Sequence, residues 1–452
     1  MDLSRLHNIF FLGIGGIGMS ALARHFKSQG INVSGYDRTP TTLTAALIAE
    51  GIRIWFDDDE AIIPENTDLV VFTPAVPKDS ALYKAFGVLN TPMMKRAELL
   101  GLISAKTPTI AVAGTHGKTT ISAMVTHILK TAGIRVTAFL GGISANYNTN
   151  YIESEQPEWI VVEADEFDRS FLHLSPKVAL ISSMDADHLD IYGSVDALLD
   201  SFRAFASRIK PNGTLVIKKG LESKIPSQSH VITYHSSMPA HVFAKKLSME
   251  GGSFYAILDG MIKTQKFRPG LQGAHNLENA TGAAAIAHCL NIESTVIANA
   301  LESFKGVRRR FEYLYSGPNL VYIDDYAHHP EEISACLGAA RELFPEREIT
   351  VIFQPHLFSR TRDLAEEFAK SLSLANRLIL LDIYPARELP IEGVTSAWLL
   401  SKIKLENKQL AQKADIIGLL RKHAPQVLIT MGAGDIDRIT GDIVKFLKMK
   451  EL

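Results

Sequence analysis

Cysteine is nearly missing from this chain. Cys289 and Cys336 are the only two in 452 residues, at a spacing that fits neither a disulfide framework nor a metal site. Both fall in helix-like segments, so they are expected to be reduced core residues of a cytoplasmic protein. A charge excess is missing too: 47 Lys and Arg stand against 49 Asp and Glu, for a net charge of −2. That balance leaves no broad electrostatic footprint for nucleic acid or an anionic membrane, so any phosphate binding must be local. No apolar run approaches the roughly 20 residues needed to span a bilayer. The apolar start is broken by Gly13 and lacks a basic segment followed by a long apolar one, so neither membrane insertion nor a signal peptide is expected. Long repeats and low-complexity segments are also absent. What remains, 46% hydrophobic and 21% charged, is the composition of a soluble globular protein. At roughly 150 residues per domain, two or three domains are expected.

The most informative stretch present is Thr109 to Thr120, read as Thr-Ile-Ala-Val-Ala-Gly-Thr-His-Gly-Lys-Thr-Thr. A short apolar run reads as a buried strand, Gly114 breaks it, and a helix-compatible segment runs from about Lys118 to Thr131. A strand, a glycine turn and Lys-Thr at a helix start together hold a nucleoside triphosphate. Backbone N–H groups and the helix dipole face the phosphates, lysine neutralises β/γ charge, and a hydroxyl reaches Mg²⁺. Val112 stands where the usual pattern has its first glycine. The plainer reading is a glycine turn with a surface lysine.

A second glycine motif, Gly13-Ile-Gly15-Gly16-Ile17-Gly18-Met-Ser20, follows the strand-like Ile9 to Leu12 and opens a helix. The next strand-like run, Asn32 to Tyr36, ends at Asp37, near the offset of a ribose-binding acid. Alone, the motif fits a dinucleotide oxidoreductase, yet glycines that admit one pyrophosphate admit any diphosphate. Asp68 to Phe72 reads as a strand leading into Thr73-Pro-Ala-Val-Pro77, and this first α/β domain is expected to end near Lys106-Thr-Pro108.

Farther on, Gly141-Gly-Ile143 reads as a turn. Trp159 to Val162 reads as a strand ending in Glu163-Ala-Asp165-Glu166-Phe-Asp168, and Val178 to Ser182 as one ending in Asp185-Ala-Asp187-His188-Leu-Asp190. Acids past strand C-termini beside a phosphate loop suit a Mg²⁺ ion that must bridge carboxylate and phosphate. A solvated acidic turn is the alternative, and His188 is either a second-metal ligand or an ordinary histidine. Residues 213–271 look β-rich, with a hairpin expected at Asp259-Gly260. Asn276 and Asn279 share a helix face, where they either read a purine edge or cap the helix. Arg308-Arg309-Arg310 is a solvated basic run or supplies a guanidinium to a transferring phosphoryl group. Strands at Leu320 to Ile323, Ile349 to Phe353, Arg377 to Leu381 and Val427 to Met431 build a third α/β unit. Their ends carry Asp324-Asp325-Tyr326-Ala-His328-His329-Pro330, Gln354-Pro-His356 with Arg360, and Gly432-Ala-Gly434.

Taken in order, Gly114-Thr115-His116-Gly117-Lys118-Thr119-Thr120, Glu163-Ala-Asp-Glu, Asp187-His188-Leu-Asp190, His275-Asn276-x-x-Asn279, Arg309-Arg310-Phe and Asp324-Asp325-Tyr-x-His-His-Pro resemble the motif set of the Mur ligases over the whole chain. The resemblance implies an α/β protein of three domains. Residues 1–107 would be a Rossmann-like domain binding UDP-N-acetylmuramate, and residues 108–313 a central P-loop-type ATPase with a mostly parallel sheet. Residues 314–452 would be a Rossmann-like domain on the amino-acid side. It implies ATP and Mg²⁺ as cofactors, UDP-N-acetylmuramate and L-alanine as substrates, no nucleic-acid partner, and a monomer or weak homodimer. Gly15, Gly16, Ile17, Gly18, Ser20, Asp37 and Thr73 would contact the UDP-sugar, and Lys118 the β/γ-phosphates. Thr119 and Glu163 would hold one Mg²⁺ and His188 another. Asn279 and Tyr326 would meet adenine, Asp325 the ribose and Arg310 the phosphates. Asn276 would lie by the γ-phosphate, and His329, His356 and Arg360 near the alanine and the acyl phosphate.

Three positions depart from the family pattern: Leu357 where many members have arginine, Phe167 where serine is usual, and Phe56-Asp57 where a Gly-His pair usually lies near the uracil. Competing readings are a ligase that recycles murein tripeptide, an NAD-dependent dehydrogenase built on Gly13 to Gly18, and a nucleotide-sensing scaffold. The dehydrogenase leaves the phosphate loop unexplained, and the scaffold has no need of His188 with Arg310.

Overall fold

Three sheets make up a three-domain α/β architecture. The computed structural model describes residues 2–185, 192–227, 229–250, 253–386 and 388–449. By contacts the chain divides into two compact units. The first is Met1–Leu247 with Tyr255–Gly270 and Glu278–Lys305; the second is Ser248–Phe254, Leu271–Leu277 and Gly306–Leu452.

The first sheet is five-stranded and parallel, in the order Arg53–Trp55, Asn32–Tyr36, Asn8–Leu12, Leu69–Phe72, Met93–Lys95. Its order reverses at Asn8–Leu12, and the chain leaves that strand through the Gly13 to Gly18 loop, where an open α/β sheet presents its crevice. The second sheet has nine strands: Ser253–Gly260, Val242–Glu250, His230–His235, Thr214–Lys218, Val178–Ile181, Thr109–Ala113, Trp159–Glu163, Val136–Ser144 and Thr149–Ile152. Its central strands are parallel and buried on both faces, which is why Thr109–Ala113 and Val178–Ile181 are almost unbroken apolar runs. The third sheet runs Glu312–Ser316, Val321–Asp325, Val427–Met431, Ile349–Phe353, Arg377–Leu380, Lys408–Leu410, with only the first strand antiparallel.

One core runs through the first two sheets, joining Phe11, Leu22 and Phe26 to Phe139, Tyr151, Phe171 and Phe205. Within it the Phe171 and Phe205 rings stack at 4.9 Å, and Phe202 meets Phe171 edge-on at 5.4 Å. Cys336 is buried and Cys289 half-buried, both as thiols on helices.

Two local expectations change. Gly141 to Ile143 is not a turn; it lies inside the nine-residue strand Val136–Ser144, which pairs antiparallel with Thr149–Ile152 across an irregular register. At Gly141 a side chain is excluded because the Glu163 carboxylate packs against that strand. At Asp259-Gly260 the chain does reverse, through Gly260 at φ +90°, and the return makes an isolated bridge between Phe267 and Ala256, with Thr264 N–H donating to Leu258 O at 3.1 Å. No helix among the described residues is long and apolar enough to cross a membrane.

Truncating the fully buried Phe202 to alanine should cost about 3–5 kcal/mol. Urea denaturation should show a markedly lower midpoint, and an unchanged midpoint would mean that this aromatic cluster is not packed as described.

Candidate active site

Buried strand Thr109–Ala113 delivers the chain to Gly114, at φ +136°, where a Cβ would overlap Ser182 Oγ. Gly117, at φ +83°, has Asn279 Oδ1 where a Cβ would approach to 2.6 Å, so the loop and Asn279 are in close contact. Helix Lys118–Thr131 starts at once with Gly117 as its cap and no side-chain capping bond, and Thr120 is buried in its first turn. The first N–H groups therefore lack a side-chain acceptor, a helix start suited to an anion. Two serines at the end of Val178–Ile181 hold the loop shape. Ser183 Oγ accepts from His116 N–H at 2.8 Å and pairs with Thr115 Oγ1 at 2.9 Å, and Ser182 Oγ donates to His116 O. Asp185 lies 3.8 Å from His116 Nε2.

Lys118 Nζ donates to Gly114 O at 2.7 Å and to the fully buried Glu166 carboxylate at 2.9 Å. Burial opposes the ammonium, but the carboxylates of Glu166, Asp165 and Glu163 outweigh it and raise the Lys118 pKa. Burial pushes the Glu166 carboxyl upward, and Lys118 pulls it back. The rest of the acidic segment is shared out in the same way. Glu163 Oε1 accepts from Thr119 Oγ1 at 3.1 Å, Asp165 lies 3.7 Å from Arg96, and Asp168 lies 3.5 Å from Lys95. Asp168 and Arg169 both adopt φ above +50°, a left-handed pair that costs of order 1–3 kcal/mol per residue. The Thr119 hydroxyl and Glu163 carboxylate are hard oxygen donors side by side, and they fit a Mg²⁺ ion. His188, with Asp187 and Asp190, lies outside the described residues.

The other glycine loop is ordered mainly by backbone partners. Gly13 and Ile14 N–H donate to Tyr36 O at 2.8 and 3.0 Å, and Gly15 N–H to Asp37 Oδ2 at 2.7 Å. Asp37 therefore already braces the loop. Ser20 Oγ donates to Ile17 O at 2.9 Å. A cavity of about 250 Å³ has Gly16, Ile17, Gly18, Thr73 and Arg96 on one side and Leu140, Gly141, Glu163 and Asp165 on the other. The Gly16 to Gly18 loop and the Glu163 carboxylate thus line the same cavity.

In the second unit, Tyr326 is flanked by the guanidinium groups of Arg309 and Arg310, each 5.2 Å from its ring centroid. Arg309 also bonds Asp324 at 3.2 Å and Gly432 O at 2.6 Å. Asp325 accepts from Phe311 N–H and Ala327 N–H, both at 2.7 Å. Burial pushes both Asp324 and Asp325 up to about 6, against the pull of Arg309 and Arg310 respectively. Asn276 donates to Gln272 O at 2.9 Å and is buried. His329 caps helix Pro330–Leu343. His328 stands 3.1 Å from Glu332 and edge-on to His356, which stacks on Tyr384 at 5.9 Å. Leu357 takes φ +72° as it opens the short helix Phe358–Asp363 that carries Arg360.

Sequence reasoning missed Arg96, Glu166, Ser182, Ser183 and Glu332. Arg96 follows Met93–Lys95, an edge strand too short to read, although an acid in the first turn, here Glu98, is a helix-start signal. Glu166 was visible as an acid but not as the partner of Lys118.

Comparison with known proteins agrees with this arrangement across its length. Residues 8–107 match the Mur ligase family catalytic domain, 112–287 the Mur ligase middle domain and 309–435 the Mur ligase glutamate ligase domain. A nucleotide loop and a second diphosphate loop on successive α/β domains are the frame of an ATP-dependent ligase, and the chain belongs to the Mur ligase family. It is 50% identical to the UDP-N-acetylmuramate–L-alanine ligase of Flavobacterium psychrophilum, with 100% of both chains covered. It is 48% identical to that of Flavobacterium johnsoniae, with 99% of each covered. Its fold is similar to the solved UDP-N-acetylmuramate-alanine ligase of Thermotoga maritima, with a TM-score of 0.84 and 29% identity over 98% of this chain and 99% of that one. A murein peptide ligase of Psychrobacter arcticus shares the fold at a TM-score of 0.72 and 22% identity, over 98% of each chain.

A Cβ at Gly141 would overlap the Glu163 carboxylate. Gly141→Ala should therefore cut ADP-forming turnover at least tenfold with an unchanged far-UV circular dichroism spectrum. Turnover within twofold of the parent would show that Glu163 is not held by this contact.

Proposed function

We propose that the chain joins L-alanine to the carboxylate of UDP-N-acetylmuramate, using ATP and releasing ADP and phosphate. The observation that carries this reading is a cavity lined by both the Gly16 to Gly18 loop and Glu163, which also accepts from the phosphate-loop Thr119. That arrangement suits a substrate held by a diphosphate at one end and activated by a nucleotide at the other. Residues 1–107, 108–313 and 314–452 are taken as the UDP-sugar, ATP and amino-acid domains.

The muramoyl carboxylate oxygen attacks the γ-phosphorus of ATP, the bond to the β–γ bridging oxygen breaks, and ADP leaves an acyl phosphate. The neutral amine of L-alanine then attacks the acyl carbon, phosphate departs with the C–O electron pair, and the nitrogen releases one proton to solvent as the amide forms. Activation is required because a carboxylate oxygen is too poor a leaving group by itself. The protein supplies position and charge rather than covalent chemistry. Gly15 to Gly18, Ser20 and Thr73 receive the UDP-sugar, with Asp37 bracing their loop. Lys118 moves from Glu166 to the β/γ-phosphates. Thr119 and Glu163 would hold one Mg²⁺, which neutralises phosphate charge when bound, and His188 is the candidate ligand of a second. Asn279, Tyr326 and Asp325 are assigned to adenine and ribose, and Arg310 and Asn276 to the phosphates. His329, His356 and Arg360 are assigned to the amine and acyl phosphate.

The test is ADP release with Mg-ATP and UDP-N-acetylmuramate, adding separately L-alanine, glycine, L-serine or the L-Ala-D-Glu-diamino-acid tripeptide. Release that depends on L-alanine, with the alanyl product confirmed by mass, is expected. Release with the tripeptide alone would reassign the chain to recycling, and silence with every acceptor would overturn the reading. In the same assay Lys118→Ala should abolish turnover while UDP-sugar binding survives. Activity within tenfold of the parent would remove Lys118 from its role.

A further inference from the structure

The glycine loop that receives the diphosphate has a weakness built into it. Gly13, Gly15, Gly16 and Gly18 carry no side chains to pack, and such residues lose the most freedom on ordering. Helix Ile17–Ser28 begins on Gly16 with no side-chain cap. Something else must hold its first turn.

That support comes from the neighbouring sheet. Asn150, on strand Thr149–Ile152, is fully buried. Its amide Nδ2 donates to Ile17 O at 2.6 Å and to Ser20 Oγ at 3.0 Å. Its Oδ1 accepts from Arg24 Nη1, and Arg24 is fixed in turn by a two-bond fork to Glu50 at 2.6 and 2.8 Å. One turn farther along, His25 Nδ1 meets Tyr151 OH at 2.9 Å, and its ring packs edge-on against Phe139. A buried network with its donors and acceptor engaged is rigid, and a missing member is costly. The strand paired with Thr149–Ile152 is Val136–Ser144, which carries Leu140 and Gly141 to the cavity and to Glu163.

We propose that Asn150 is a positioning residue for UDP-sugar binding. It orders the Ile17 to Ser20 turn from the adjacent domain, so that the diphosphate loop is held in register with Glu163. The inference rests on the reading of that loop as the UDP-sugar site. It uses no residue expected to touch ATP.

The experiment measures steady-state kinetics together with calorimetric binding of UDP-N-acetylmuramate, for the parent and three variants. Asn150→Ala and Asn150→Asp both lose the two amide donors, and each should raise KM and Kd for the UDP-sugar about tenfold, with kcat and the KM for ATP within twofold. Arg24→Met keeps the donors and should raise them less than threefold. A merely structural role would instead lower the melting temperature and kcat together in all three, and that pattern overturns the proposal. Unchanged UDP-sugar affinity in Asn150→Ala overturns it as well. If the parent itself neither binds nor turns over the UDP-sugar, the functional reading fails before the variants are compared.

Discussion

An ammonium group and a carboxylate buried against each other, Lys118 and Glu166, are the contact on which the nucleotide site turns. Removing one partner of such a pair costs of order 3–5 kcal/mol, because the other charge is stranded out of water. The pair holds the Lys118 ammonium beside Gly114 O. It also fixes the segment from Glu163 to Asp168, whose remaining acids reach Thr119, Arg96 and Lys95. Four carboxylates on six residues would repel one another if left together. Sharing them among cations of two different loops turns that repulsion into a bridge between the loops. The left-handed Asp168 and Arg169 are where the backbone yields to make those contacts.

Both glycine loops are crowded by neighbouring protein atoms. A Cβ would run into Ser182 at Gly114, Asn279 at Gly117, Asp37 at Gly15 and Arg96 at Gly18, so side chains are excluded at all four. The shape lost with those side chains is restored from outside. Ser182 and Ser183 hold the phosphate loop; Asp37 and Asn150 hold the diphosphate loop. In the second unit, the same principle gathers Arg309, Arg310 and Tyr326 around a strand end, with Asp324 and Asp325 buried beneath them.

The central strands and both glycine loops were legible in the sequence because burial on two faces leaves apolar runs that end abruptly in glycine or acids. Asn32–Tyr36, Ile349–Phe353, Val427–Met431 and helix Lys118–Thr131 all fall where the pattern puts them. Arg53–Trp55, Met93–Lys95, Glu312–Ser316 and Lys408–Leu410 went unread, and each is an edge strand. An edge strand is short and only partly buried, so its composition does not differ from that of a loop. Gly141 misled for a related reason. Glycine marks a turn in most strings, but here it marks a strand that must admit the Glu163 carboxylate. Asn150 carried no signal at all, since nothing local distinguishes a buried clamp from a surface amide. Long-range partners such as Glu166 for Lys118, 48 residues apart, are likewise invisible without the fold.

The central claim is chemical: the substrate carboxylate becomes an acyl phosphate, a mixed anhydride, before the amine arrives. Isotope transfer tests it most directly. UDP-N-acetylmuramate labelled with ¹⁸O in both carboxylate oxygens, turned over with Mg-ATP and L-alanine, should yield inorganic phosphate carrying one ¹⁸O and an amide carbonyl retaining the other. Phosphate free of label, with an amide formed at the normal rate, would contradict activation through an acyl phosphate.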